Sequence, residues 1–398
     1  MFTLPERVNI LFGQPCLFEN VSSFPYNLQI CEIIDYFSKQ LLSISDRKMA
    51  DVITLAYWCR KSNIDKIKKE FNEDKIRIGL GTVFHIPPSN VPINIAFSFI
   101  FGLLAGNANI VKLSDKDFPQ IDIIIEALKK TTEKYPILYH KLLIIRYNKE
   151  NIDITTFLSK KCQGRVIWGG DVTVDNIRKI PISYRGVEMV FPDRYSLCII
   201  NANVLINNTS QEINELAQYF YNDAYIMDQN ACSCPHMVIW LGEKNNVIKI
   251  KDIFWSSLYK VAQKKYNLEP IMSISKYEKL CIDAQDKGKI IDVTRYGNIL
   301  YCLQLSQLSS VIDSYKGQFG YFYEYLMEDI SELVKYLNSR CQTLTYYGIN
   351  KNTFYDLIYK NNLRGIDRIV PIGKALDIDV IWDGYDIMKT LSRICEVK

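Results

Sequence analysis

No apolar run in the sequence is long enough to cross a bilayer: the longest, Ile95 to Ala105, falls well short of the ~20 residues that a membrane-spanning helix needs. No charge of one sign dominates either. The 48 basic residues exceed the 44 acidic ones by only 4 and are spread along the chain, too mild an excess to direct it to nucleic acid or an anionic membrane. The eleven cysteines are odd in number and scattered, and no two stand in the Cys-x-x-Cys spacing that structural zinc sites use. Residues 1–7 lack the pattern of a secretory leader, so the expectation is a cytoplasmic protein with reduced thiols. No Gly-x-Gly-x-x-Gly fingerprint follows a strand, which leaves a standard Rossmann dinucleotide site unsupported. Repeats and low-complexity linkers are absent as well.

What is there is the composition of a globular protein, 48% hydrophobic and 23% charged, long enough for two domains that each bury a core. Residues 1–75 read as a helical lead-in. Apolar residues recur at helical spacing in Asn27 to Leu42 and in Lys48 to Trp58, the second with Asp46 as N-cap, and the charged run Asp65 to Lys75 reads as a solvated helix face. Ile76 to Ile86 reads as one strand, followed by the turn residues Pro87 to Pro92 and an almost wholly apolar helix, Ile93 to Ala105. Asn109 to Ser114 is the next strand, giving the βαβ pattern of a doubly wound sheet, whose ligands sit at strand C-termini. Lys112 lies at such an end, where an ammonium can hold a ribose hydroxyl or a phosphate, although a solvated surface lysine has the same appearance.

Ile121 to Thr132 is expected to be helical, Lys141 to Tyr147 a strand, and Gly164 to Trp168 another. The last runs through Gly169-Gly170 into a helix over Val172 to Ile180, and such a glycine pair suits a pyrophosphate or an ordinary tight turn. A strand at Ser196 to Asn201 and a helix at Ser210 to Tyr221 follow. Further helices are expected at Ile250 to Lys264 and Ser331 to Ser339, and strands near Met237 and Ile299. The stretches 364–373 and 381–386 read as loops. The domain border falls near residue 203: a cofactor-binding domain over 1–203, a catalytic domain over 204–398, and a tail that packs back on the first domain.

The chemistry points to Tyr225 to Trp240. A polar turn carries Cys232 and Cys234, Pro235 blocks helix continuation, and the apolar run Met237 to Leu241 reads as a buried strand. A Cys on a loop at the mouth of a strand meets substrate while its scaffold stays rigid, although most cysteines are simply packed. Cys232-x-Cys234-x-His236 also reads as a metal half-site, but it lacks the spaced partner pair that a four-ligand site requires, and no metal is assigned.

Several stretches together resemble the acyl-CoA reductase family of bacterial luminescence, the LuxC type, within the aldehyde dehydrogenase superfamily. They are Gly81 to Ile86 with Pro88 to Pro92, Gly102 to Asn107 with Val111 to Ser114, Trp168 to Asp171, Asp193 to Ser196, and Asn230 to Pro235. Near the C-terminus come Gln342 to Tyr346, Gly365 to Gly373 and Trp382 to Asp386. The resemblance implies an aldehyde-dehydrogenase-like α/β fold: a Rossmann-like cofactor domain, then an α/β catalytic domain with the nucleophilic Cys. Cys232 matches the nucleophile that attacks an activated acyl carbonyl and expels its thiol carrier. Asn90 matches the side-chain amide that stabilises the tetrahedral oxyanion with the Cys232 N–H, a donor worth about 3 kcal/mol elsewhere. Lys112 and Ser114 match the adenine-ribose contact, Gly169 and Gly170 the pyrophosphate turn, and a Lys suits the 2′-phosphate of NADPH, the cofactor the family prefers.

The expected reaction is reduction of an acyl-CoA or acyl-carrier thioester, fatty acyl by family default, to an aldehyde through acyl-Cys232. An acyl-activating synthetase partner and a homo-oligomer are compatible with it. The Glu that activates water in hydrolytic relatives has no counterpart in Phe191 to Ser196, which favours reduction over release of an acid. The superfamily's second Glu is missing from Lys316 to Gln318 as well. Cys234 stands where Ser is usual, and His236 where Gln is common. For His236 the alternatives are a proton donor, a group lowering the thiol pKa, or a hydrogen-bonded loop histidine. His85 is expected to be structural, in the wall beside Asn90. Two rivals use the same residues: an acyltransferase that needs no nucleotide, and a non-catalytic subunit that only binds a partner.

Overall fold

Two sheets, each with a row of parallel strands, organise the chain. The computed structural model describes residues 4–15, 22–45, 49–71, 74–88, 91–285 and 289–398. It divides into two compact units, Met1–Pro192 with Val380–Lys398, and Asp193–Asp379.

In the first unit six strands lie in the spatial order Asn9–Phe12, Leu142–Arg146, Ala108–Leu113, Thr82–Ile86, Gly164–Trp168, Val187–Phe191. Asn9–Phe12 is antiparallel to its neighbour and the other pairs are parallel. The central strands are apolar on both faces because helices cover both. Every residue of Thr82–Ile86 is buried, as is almost all of the helix Asn94–Leu104. That helix ends at Gly106, whose φ of +89° suits only glycine without strain. The lead-in forms the helices Leu28–Ile44, Ala50–Trp58 and Lys61–Glu70; Asn27 caps the first by accepting from the N–H groups of Gln29 and Ile30. Asp46, expected to cap the second, lies outside the described residues.

The run read as one strand over Ile76 to Ile86 is two. Gly81, at φ +136°, turns the chain, so that Thr82–Ile86 enters the sheet while Ile76–Gly79 pairs antiparallel with Ser392–Cys395. The Arg77 guanidinium fixes this pairing by donating to the Lys389 and Ser392 carbonyls at 2.6 and 2.9 Å, and the Asn107 amide donates to the Leu391 carbonyl at 2.8 Å. Residues 381–386, read as a loop, form the hairpin Ile381–Trp382 and Tyr385–Asp386, with Asp383 and Gly384 both at positive φ in its turn.

In the second unit seven strands lie in the order Ile290–Tyr296, Leu300–Leu305, Tyr321–Met327, Pro235–Leu241, Tyr195–Asn201, Cys341–Tyr347, Arg368–Pro371. All pairs are parallel except the first hairpin. Pro235–Leu241 is the middle strand. On one face Trp240, Phe254, Trp255 and Phe322 pack under the helices Ser210–Ala224 and Lys244–Lys265. Glu324 is buried there because Trp240, Trp255 and Lys251 all donate to its carboxylate at 2.9 Å. Two expectations are corrected here. Ser331 to Ser339 is no α-helix; Ile330–Lys335 is a 3-10 turn that buries only Leu333. The stretch 364–373 is not all loop, because Arg368–Pro371 completes the sheet against Thr343 to Tyr346.

Candidate active site

The helix Ser210–Ala224, with a capping box between Thr209 and Glu212, delivers the chain to the thiol loop. Asp228 and Gln229 then take the left-handed conformation at φ 53° and 58°, a pair that costs non-glycine residues about 1–3 kcal/mol each. The Gln229 side chain offsets this. Its oxygen accepts from the N–H groups of Gly320 and Tyr321 at 2.8 and 3.0 Å, and its amide donates to the carbonyls of Pro235 and Tyr321 at 3.2 and 3.1 Å. One buried amide thus ties the thiol loop to the start of a neighbouring strand.

Cys232 follows two residues after Asn230, whose side chain accepts from Gln318 at 2.6 Å. The Cys232 residue is partly exposed, and its carbonyl accepts from Ser196 Oγ at 2.6 Å. That hydroxyl oxygen also accepts from the Thr343 N–H, so the peptide beside the thiol is held from two adjacent strands. Cys234 differs: it is fully buried, and burial pushes its thiol well above the ordinary range. Of the pair, only Cys232 is placed where a substrate can reach it.

His236 opens the middle strand at a register shift opposite Ser196 and Leu197, stacked on Tyr195. Its Nδ1 donates to the Gly317 carbonyl at 2.9 Å, which leaves Nε2 as the lone-pair nitrogen. Burial, with the nearby Lys316 ammonium, pushes its pKa down to about 4. Lys316 itself pairs with Asp193 at 2.6 Å, and Arg194 pairs with Asp367. Arg368 donates to the carbonyls of Lys374, Ala375 and Asp377 and so braces its own loop.

In the first unit, Lys112 sits half-buried at the end of Ala108–Leu113 with its ammonium 4.9 Å from the Tyr147 ring centre, and burial lowers its pKa. Ser114 follows, partly exposed. Gly169 and Gly170 connect Gly164–Trp168 to the helix Asp171–Arg178. A methyl at Gly170 would meet nothing within 4 Å, so an open face lies beside a helix start whose first N–H groups have no intrahelical acceptor. That arrangement suits a pyrophosphate. His85 is fully buried and bonded to Ser98 and Asn109, as a structural histidine should be. Asn90, expected to complete an oxyanion hole, lies outside the described residues. Sequence reading overlooked Gln229 and Ser196.

Two such units, one with a glycine turn after a parallel strand and one with a thiol loop before its middle strand, define an aldehyde-dehydrogenase-like α/β fold. A NAD-dependent benzaldehyde dehydrogenase from Corynebacterium glutamicum matches at a TM-score of 0.63 and 12% identity, over 93% of this chain and 85% of that one. Aldehyde dehydrogenase 21 from Physcomitrella patens matches at 0.64 and 13%, over 92% and 84%. The chain belongs to the acyl-CoA reductase (LuxC) family, whose sequence profile matches residues 31–394. A long-chain acyl-protein thioester reductase of Vibrio harveyi is 20% identical over 325 residues, which span 79% of this chain and 63% of that relative's length. Among the described residues no helix is long and apolar enough to cross a membrane.

Proposed function

We propose that the chain reduces an activated acyl thioester, carried on CoA or on a protein, to an aldehyde through an acyl-Cys232 intermediate, with NADPH as cofactor. The observation that carries this reading is Cys232: a partly exposed cysteine on a loop held by Gln229 and Ser196, in a chain of the acyl-CoA reductase family.

The Cys232 thiolate attacks the acyl carbonyl, a C–S bond to the enzyme forms, and the C–S bond to the carrier breaks as the carrier thiol leaves. Lys112 and Ser114 would hold the adenine ribose and its 2′-phosphate, and Gly169-Gly170 the pyrophosphate. The dinucleotide, when bound, would supply a hydride to the thioester carbonyl, and the C–S bond to Cys232 would then break, releasing the aldehyde and returning the Cys232 thiolate. Hydrolysis is disfavoured because Asp193, in the segment where relatives carry a water-activating Glu, is committed to Lys316. His236, neutral at ordinary pH, offers no cation to the thiolate, so its role here is to brace the 316–318 loop through Gly317. A long-chain acyl group, as in the Vibrio relative's name, and a synthetase partner that supplies it belong to the same reading.

The test is NADPH oxidation with a panel of acyl-CoA chain lengths, wild type beside Cys232→Ala. Chain-dependent turnover that falls by roughly 10⁴-fold or more in the variant is expected. Intact turnover in the variant would sink the mechanism, and acyl-Cys232 in mass spectra without NADPH oxidation would mark an acyltransferase.

A further inference from the structure

Trp168 ends the strand that feeds the Gly169-Gly170 turn, and nothing in the reaction above uses it. Its indole is nonetheless fixed on two sides. The ring stacks on Phe191 with centres 3.7 Å apart and planes 16° apart, and Tyr385 meets Phe191 edge-on from the C-terminal hairpin. The indole N–H, which can only donate, donates to Ser98 Oγ at 3.1 Å.

The remaining directions follow from the far end. The Asn109 amide nitrogen donates to the Asn107 carbonyl at 3.2 Å, so the atom facing His85 is Oδ1, which can only accept. His85 Nε2 therefore carries the hydrogen and donates it to Asn109 Oδ1 at 2.8 Å, Nδ1 of the neutral ring is the acceptor, and Ser98 Oγ donates to it at 2.7 Å. Ser98, His85 and Asn109 are all at most 2% exposed, so each broken link would strand a buried polar group. Gly102 shows how tightly the relay is housed: a Cβ there would stand 1.8 Å from Asn109 Oδ1 and 3.1 Å from His85 Nε2. The buried helix therefore carries glycine where it crosses the relay.

We propose that Trp168 is a positioning residue for the dinucleotide turn: the relay Trp168–Ser98–His85–Asn109 fixes the indole, and thereby the direction of the Gly169-Gly170 backbone. This rests on the reading of that turn as a pyrophosphate site. The relay runs one way, holds a single histidine tautomer, and joins His85 and Asn109 on two paired strands before ending on the Asn107 carbonyl, so the turn inherits the rigidity of the sheet.

Two variants test it in the full-length protein. Trp168→Phe keeps the stacking and removes the N–H, while Ser98→Ala cuts the same link from the other side and leaves the indole in place. The Kd of NADPH is measured beside that of adenosine 2′-monophosphate, which carries the 2′-phosphate but no pyrophosphate. Each variant is expected to weaken NADPH about 3–10-fold, the worth of one neutral hydrogen bond, with the monophosphate unchanged. The KM for NADPH should rise by the same factor at constant kcat. Unchanged NADPH affinity in a folded variant overturns the proposal, and so does equal weakening of both ligands, which marks general loosening. A wild-type protein that binds neither NADPH nor NADH removes the underlying pyrophosphate reading instead.

Discussion

In the unit formed by residues 1–192 and 380–398, the residues proposed for the dinucleotide lie at or just after the C-terminal ends of strands; in 193–379, the thiol precedes its strand. The two ends of a parallel strand offer different chemistry. After the strand, a glycine turn runs into a helix whose first N–H groups lack intrahelical acceptors, the backbone arrangement proposed above to take the pyrophosphate. Before the strand no helix start is on offer, and the opening N–H groups of the sheet need partners. Gln229 supplies them to Gly320 and Tyr321 and in the same act fixes the thiol loop. Glycine does the local work in one unit, and a buried side-chain amide does it in the other.

The sharpest way to break that contrast is Gln229→Ala. It strands two buried N–H groups and removes the clamp, so a loss of about 2–4 kcal/mol in denaturant unfolding is expected, with a changed rate of Cys232 alkylation. An unaltered midpoint would mean that the left-handed pair holds itself. Next comes Lys112→Met in the other unit. If the strand end holds the 2′-phosphate, NADPH should weaken relative to NADH by about 10–100-fold, the worth of one charge-assisted bond. A constant ratio of the two Kd values would take the nucleotide assignment away from that strand end.

The smallest effect sharpens the comparison through its two histidines. His85 in one unit and His236 in the other are each held neutral, with burial pushing both pKa values down to about 4. An unfolded imidazole takes up its proton near 6.5, so between the two values the unfolded chain binds more protons. Their contribution to stability is complete above pH 6.5 and is lost as the pH falls toward 4, at most roughly 3 kcal/mol for each. His236→Gln should flatten part of this decline in unfolding free energy measured from pH 7 to 5. A profile parallel to wild type would mean that His236 takes up its proton in the folded protein as readily as in the unfolded chain.

How far the sequence discloses this molecule depends on where the partners of each residue lie. Helices such as Pro119–Lys134 and Ser210–Ala224 are legible because their apolar period is local. The strand Tyr321–Met327 was not anticipated: Glu324 interrupts its apolar run, and only the distant Lys251, Trp240 and Trp255 explain that carboxylate. Arg368–Pro371 lies among turn residues and becomes a strand by pairing with Thr343 to Tyr346. The thiol loop itself is legible as a pattern of Cys, Pro and a following apolar run. Gln229 is not, because two of the groups it joins lie 91 and 92 residues further along the chain.

The pairing of Ile76–Gly79 with Ser392–Cys395 sets an order of events during synthesis. Residues 193–379 are contiguous and leave the ribosome whole before 380–398 exist, so the thiol-bearing unit has every residue it needs while the other still lacks a strand and the Lys389 and Leu391 carbonyls to which Arg77 and Asn107 donate. The unit that starts first is therefore the one that finishes last. Until residues 392–395 are made, Ile76–Gly79 lacks its partner strand and presents an unpaired edge, the kind of segment that nascent-chain chaperones cover.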